Sequence, residues 1–201
     1  MEAEHLSEVV GHLYDAAVDA EHWPIALEAA CGFVGGCAAN LFSQDAATQN
    51  AVRHYSWGED PHYEQQFFQT YASLNPFYPA AVFLPVGEVF AGSDIIPNKE
   101  FQKTRFFREW VGPQGRIDSL LSNIERTATT ASAFSIQRSR AQGLADTAAK
   151  RRFGLLVPHM RRAATIGRII GFQQVREQAL LAILDKLETA VILVSGNGRL
   201  V

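Results

Sequence analysis

The stretch 147–189 reads as helix almost from end to end, and no other feature limits so tightly what this chain can fold into. Phe153, Leu156 and Met160, then Ile166 and Ile170, recur at helical spacing. Only Pro158 interrupts them, and it is expected to kink or split the helix by removing one backbone donor. Unbroken, such a helix would span roughly 60 Å, well past the width of a small domain. Its first part therefore packs on a domain that precedes it, and its last part must be covered by something else. Leu180, Leu184 and Leu187, at i, i+4 and i+7, predict that the cover is a second copy, in a homodimer. A chain of 201 residues that is 47% hydrophobic and 19% charged can bury the preceding core without disulfides or metals.

The residues before the helix supply that domain. Leu6, Val10, Leu13 and Ala17 mark a first helix, and Pro24 opens a second that Gly35-Gly36 ends. Strand-like stretches at 38–43 and 51–57 form a hairpin. A helix is expected over 61–72, and another from Asn75-Pro76 to about residue 84. A brief strand at 88–91 follows, then short helices capped at Ser93-Asp94 and Thr104. Alternation over 116–126 and 131–138 completes a set of five strands. The segment 190–201 reads as a strand, a hairpin turn and a second strand just beginning, which predicts the truncated start of a further domain.

Several function classes are absent from this pattern. The net charge of -3 and pI near 6.1 do not suit a chain built to neutralise phosphates. The basic run Lys150, Arg151, Arg152, Arg161, Arg162, Arg168 and Arg176 shares its helix with apolar residues and reads as the solvated face of an amphipathic helix. Cys31 and Cys37 fit neither a zinc knuckle nor a redox pair, and six scattered histidines form no metal-binding motif, so no cofactor or metal is expected. The signatures of phosphate loops, zinc helices and nucleophile elbows are missing, and the expectation is a protein that is not an enzyme. Met1-Glu2-Ala3-Glu4-His5 lacks the positive and apolar regions of a signal peptide, and no apolar run is long enough to span a bilayer. A cytoplasmic protein is the expectation.

The positive signal is aromatic. Fourteen of the 21 Phe, Tyr and Trp residues fall between Tyr55 and Trp110, within the helix-rich insertion between strands. Aromatic walls with a few polar groups line many small-molecule pockets, because apolar area supplies affinity and isolated polar contacts supply orientation. Tyr55, Phe67, Tyr71, Asn75, Phe90, Phe107 and Trp110 are the expected ligand-binding residues, with Asp118 and Ser119 as further polar contacts. A filled aromatic core without a cavity satisfies the same pattern, and the sequence does not separate the two.

Several segments together resemble the N-terminal sensory regions of bacterial LuxR-type helix-turn-helix transcription regulators, over nearly the whole chain. These are Leu13-Tyr14-Asp15-Ala16-Ala17 with Trp23-Pro24; Asn75-Pro76; Arg105-Phe106-Phe107-Arg108-Glu109-Trp110 with Pro113 and Gly115; and Leu156-Val157-Pro158-His159-Met160-Arg161-Arg162-Ala163. The resemblance implies an α+β fold, a five-stranded antiparallel sheet packed between helices as in GAF and PAS sensors, with a long C-terminal helix. It also implies a domain layout: residues 1–157 for ligand sensing, 158–189 for the dimerisation helix, and 190–201 for the start of a PAS-like domain. DNA would be reached only through a domain absent from this chain, and no membrane is involved. The alternative is a ligand-free dimerisation module of the same kind of regulator.

One departure bears on the ligand. In the acyl-homoserine-lactone receptors of that superfamily a Trp, a Tyr and an Asp contact the ligand, and the resemblance aligns them with His62, Gln66 and Asn75. None is kept, and an Asn cannot supply the carboxylate that accepts from a lactone amide. Homoserine lactone recognition is not expected.

Overall fold

The computed structural model describes residues 1–45, 51–77, 79 and 83–184, and the side chains of all of these except 177, 183 and 184. The side chain of Leu184, Leu187, the expected strands at 190–201 and most of the helix expected after Pro76 lie outside the described residues.

Helix α1 (Glu2–Val18) carries Glu2 and Glu4 in its first turn, where acidic groups face unpaired backbone N–H, and buries Val9, Leu13, Ala16 and Ala17. Asp19 ends it and accepts from the Glu21 N–H to start a single 3-10 turn, Ala20–His22. Helix α2 (Trp23–Val34) then begins with Pro24 in its first turn and stops at Gly35, whose φ of 85° is the left-handed conformation that only glycine enters freely. Gly36 is needed for space: a Cβ there would lie 2.2 Å from Ile136 Cγ2.

Five strands follow: β1 (Ala38–Asp45), β2 (Ala51–Trp57), β3 (Phe90–Ala91), β4 (Arg116–Arg126) and β5 (Thr130–Ser139). They form one antiparallel sheet in the order β2-β1-β5-β4-β3. This is the α+β architecture expected: a five-stranded antiparallel sheet between helices, with a long helix at the C-terminal end.

One sheet face is apolar. Ala39 and Leu41 of β1, Leu120 of β4, and Phe134 and Ile136 of β5 pack there against α1, α2 and the long helix α6 (Thr147–Leu184). Phe134 stacks on Phe153 with ring centres 4.8 Å apart, and Trp23 stacks on Tyr55 at 5.0 Å.

Helix α6 is continuous, and Pro158 neither splits it nor ends it. The missing donor is tolerated because the flanking turns are anchored: Phe153, Leu156, Val157, Met160 and Ala163 are all buried. Beyond Ala163 the helix leaves its cover. Ile169, Phe172, Val175, Leu180 and Leu181 are half or more exposed. Much of the basic run is engaged by the rest of the chain. Lys150 pairs with Asp94, Arg151 with Glu2 and Arg168 with Glu125, and Arg161 donates to the Ile124 carbonyl.

The other sheet face is roofed by the segment between β2 and β4. Helix α3 (Pro61–Gln66) is capped by Asp60, then widens into a π-helical turn (Phe67–Tyr71) and a 3-10 turn (Ala72–Leu74), where one helix over 61–72 was expected. Short helices α4 (Gly92–Ile95) and α5 (Asn98–Phe101) and a second π-helical turn (Phe107–Val111) complete the roof. Thr104 caps as expected, its Oγ1 accepting from the Phe107 N–H, whereas Ser93 and Asp94 lie inside α4, where Asp94 reaches back to the Ala91 N–H.

Candidate functional site

Between sheet and roof lies a cavity of about 120 Å³. Its floor is built by strand alternation. Asn40, Phe42 and Gln44 of β1, Ser119 and Leu121 of β4, and Ser135 and Gln137 of β5 all face it, the opposite side of their strands from the apolar core. Asn40, Gln44 and Ser135 are only 5%, 6% and 4% exposed. A polar floor buried this deeply is not the packing of a second apolar core, where such groups would be costly.

The roof is aromatic. Phe67, Phe77, Phe101, Phe106 and Trp110 line the cavity and pack against one another, with ring centres 5.1 Å apart for Phe67 and Trp110, 5.1 Å for Phe106 and Trp110, and 4.7 Å for Phe77 and Phe101. Trp110 Nε1 donates to the Tyr63 carbonyl at 2.8 Å, joining the second π-helical turn to α3.

Phe67, Asn75, Trp110, Asp118 and Ser119, all expected from the sequence, line the cavity. Asn75 Oδ1 is occupied, accepting from the Phe77 N–H at 3.0 Å. Asp118 is a hub: its carboxylate accepts from the backbone N–H groups of Ser93, Ser119 and Ala145 and from Ser93 Oγ, holding β4, α4 and the approach to α6 together.

Four expected residues are not in the lining. Phe107 is buried within the roof, and Tyr71 packs on it and donates to Glu109. Phe90 pairs with Leu121 at the sheet edge. Tyr55 stands on the far face, against Trp23, because of a register shift: Leu41 pairs with Tyr55 but Phe42 pairs with Arg53, leaving His54 extra. This bulge turns Arg53 toward the cavity and Tyr55 away, although their spacing of two would place them on one face.

Asn40, Gln44, Arg53, Glu59, Ser135 and Gln137 were not anticipated. Their signal was available in part, since polar residues at every second position of otherwise buried strands mark a face that covers something other than apolar core.

A second depression, about 550 Å³, lies on the opposite face between the end of α1, Trp23, Tyr55 and the outgoing part of α6. Nearby, His54 Nε2 and Ser43 Oγ are 2.7 Å apart and burial holds the His54 imidazole below its ordinary pKa. Among the described residues no group of three or more His, Cys, Asp or Glu is arranged to hold a metal, and no helix is long and apolar enough to cross a membrane.

An antiparallel sheet of this order between helices, with a long C-terminal helix, is a GAF-like fold. The ligand-binding domain of VqsR from Pseudomonas aeruginosa superposes with a TM-score of 0.67 at 16% identity, covering 82% of this chain and 96% of that one. An N-acylhomoserine-lactone-dependent LuxR family transcription factor, CepR2 from Burkholderia cenocepacia, gives 0.61 at 13% identity over 82% of this chain and 94% of that one. The GAF domain of a phosphoenolpyruvate-protein phosphotransferase from Coxiella burnetii gives 0.53 at 11% identity over 85% and 99%. No protein-family model and no curated protein matches the sequence. At these identities the likeness establishes the fold.

Proposed function

We propose that this chain is the sensory region of a LuxR-type transcription regulator, that it binds a small molecule beneath the aromatic roof, and that it acts in the cytoplasm on a DNA-binding domain outside the chain. One observation carries the reading: a sheet face that is both polar and deeply buried, separated from an aromatic roof by open space. Sequence blocks resembling that family and a fold shared with the VqsR ligand-binding domain and CepR2 support it. Phe67, Asn75 and Trp110 are the ligand contacts retained from the sequence reading, with the floor residues added.

The same geometry argues against an acyl-homoserine lactone as ligand. His62 and Gln66 hydrogen-bond each other on an exposed surface, and neither lines the cavity. Regulation rather than catalysis fits these groups, because a ligand that binds two states unequally shifts their populations without any chemistry. The exposed apolar face of α6 is proposed as the homodimer seam, the face a regulator of paired half-sites needs.

Native mass spectrometry of freshly purified protein tests the binding reading. A retained small molecule, lost on denaturation, is the expected result. A bare mass, together with no thermal shift against a panel of small aromatic compounds, would leave the alternative of a ligand-free dimerisation module.

A further inference from the structure

Asn40, on the cavity floor, has one end of its amide held and the other without a partner among the described residues. Its Nδ2 donates to Glu59 Oε1 at 2.6 Å, and Glu59 is gripped in turn by Arg116, with Nη2 at 2.7 Å from Oε2 and Nη1 at 3.1 Å from Oε1. A carboxylate in an ion pair only accepts, so the amide cannot be turned round without setting oxygen against oxygen. What remains is therefore an acceptor. Among the described residues Asn40 Oδ1 is buried and makes no hydrogen bond, a costly state that a donor from outside the protein would relieve.

Arg53 supplies an opposite pole. It pairs with Phe42 across the hairpin while Asn40 lies two residues along β1, so the two are diagonal neighbours, with backbone positions about 7–8 Å apart. Its guanidinium lies 5.6 Å from the centre of the Phe68 ring and forms an ion pair with Glu64, Nη1 to Oε1 at 2.8 Å, though without hydrogen-bond geometry at Nη1 among the described residues. The two carboxylates in the lining are committed elsewhere, Glu59 to Arg116 and Asp118 to its four donors. A guanidinium so placed is matched by the forked oxygens of a carboxylate.

We infer that the occupant is a small aromatic acid: one ring, a hydroxyl at one end that donates to Asn40 Oδ1, and a carboxylate at the other that meets Arg53. The ring suits a roof of Phe67, Phe106 and Trp110, which lines the cavity of about 120 Å³ with aromatic faces. A hydroxyl and a carboxylate para to one another put a donor and an anion at opposite ends of a single ring, as two separate poles require. The inference rests on the proposed sensor reading and adds the chemical class of the ligand.

Calorimetric titration of the whole 201-residue chain with 4-hydroxybenzoate, benzoate, phenol and toluene tests it. 4-Hydroxybenzoate should bind at least about tenfold more tightly than benzoate or phenol, the difference one charge-assisted or buried hydrogen bond makes. Asn40→Leu should remove the preference over benzoate, and Arg53→Gln the preference over phenol. Should either variant fail to fold, the order of the four compounds on the unaltered protein decides alone. Equal binding by all four, or toluene binding best, would overturn the assignment of the two poles while leaving a ligand-binding cavity in place. Failure of all four, toluene included, would overturn this inference, and a bare mass in the native spectrum would then take the sensor reading with it.

Discussion

Gly36 shows how little room a single position leaves between α2 and the sheet. A Cβ would meet Ile136 Cγ2 at 2.2 Å and Cys31 Sγ and the Gln137 carbonyl at 2.9 Å. Gly36→Ala should therefore destabilise the chain by about 1–3 kcal/mol, the usual cost of overpacking, as read from the urea midpoint. A change within experimental error would mean that α2 shifts freely on the sheet. Two histidines give a pH signature at the same scale. Burial lowers the pKa of both His54 and His159, and Arg162 lowers that of His159 further. Both stay neutral in the folded chain at pH values where the unfolded chain, with its ordinary pKa of about 6.5, has begun to take up protons. Their contribution is complete above that pH and is lost as pH falls below it, until the folded imidazoles also protonate. Melting temperature should thus decline from about pH 6.5 to about pH 5, and the double variant His54→Gln/His159→Gln should flatten that decline. An unchanged profile in the double variant would assign it to other groups.

Among the elements, β4 and the turn after β2 are joined by a buried ion pair. Arg116 and Glu59 have side chains only 7% and 3% exposed, and the pair is bidentate. Arg116→Leu would leave Glu59 charged in a dry place and should cost about 3–5 kcal/mol. Adding Glu59→Gln should recover much of that loss, because the expense lies in the unpaired charge more than in the missing bond. If Arg116→Leu alone unfolds at the same urea concentration as the unaltered chain, water reaches the pair and the dry floor of the cavity is in question. The π-helical turns of the roof and the bulge at His54 belong to this scale too. Local spacing predicted a plain helix over 61–72, and packing against the sheet overrode it; simple alternation would put Arg53 and Tyr55 on one face, and the bulge separates them.

For the whole molecule, the decisive surface is the outgoing half of α6. Phe172 is 70% exposed and Val175 65%, with Ile169, Leu180 and Leu181 alongside, an apolar face that a soluble monomer rarely presents. Phe172→Glu should convert a dimer to a monomer in light scattering, and Leu180→Glu should weaken it. An unaltered chain that is already monomeric at tens of micromolar, or a Phe172→Glu chain that stays dimeric, would place the seam elsewhere.

The sequence by itself determined what local chemistry can specify. Helix starts at Pro24 and a stop at Gly35, strands that alternate over 116–126 and close to 130–139, and a long amphipathic helix are written in spacing and backbone preference, which set the count of five strands, while their union in one antiparallel sheet was implied by the family resemblance. The clustering of aromatic residues pointed to the roof, and Phe67, Asn75, Trp110, Asp118 and Ser119 do line the cavity. The tertiary structure decided which way the remaining side chains face and whether space is left between them. One extra residue in β2 sends Tyr55 to the core and Arg53 to the cavity, an outcome that depends on pairing with β1 and not on β2 alone. Asn40 becomes notable only when Arg116, far away in the chain, fixes Glu59 beside it. Pro158, a breaker by local rules, stays within α6 because residues on both sides are buried against distant partners. Spacing along a chain sets periodicity, and contacts between distant segments set register and enclosure.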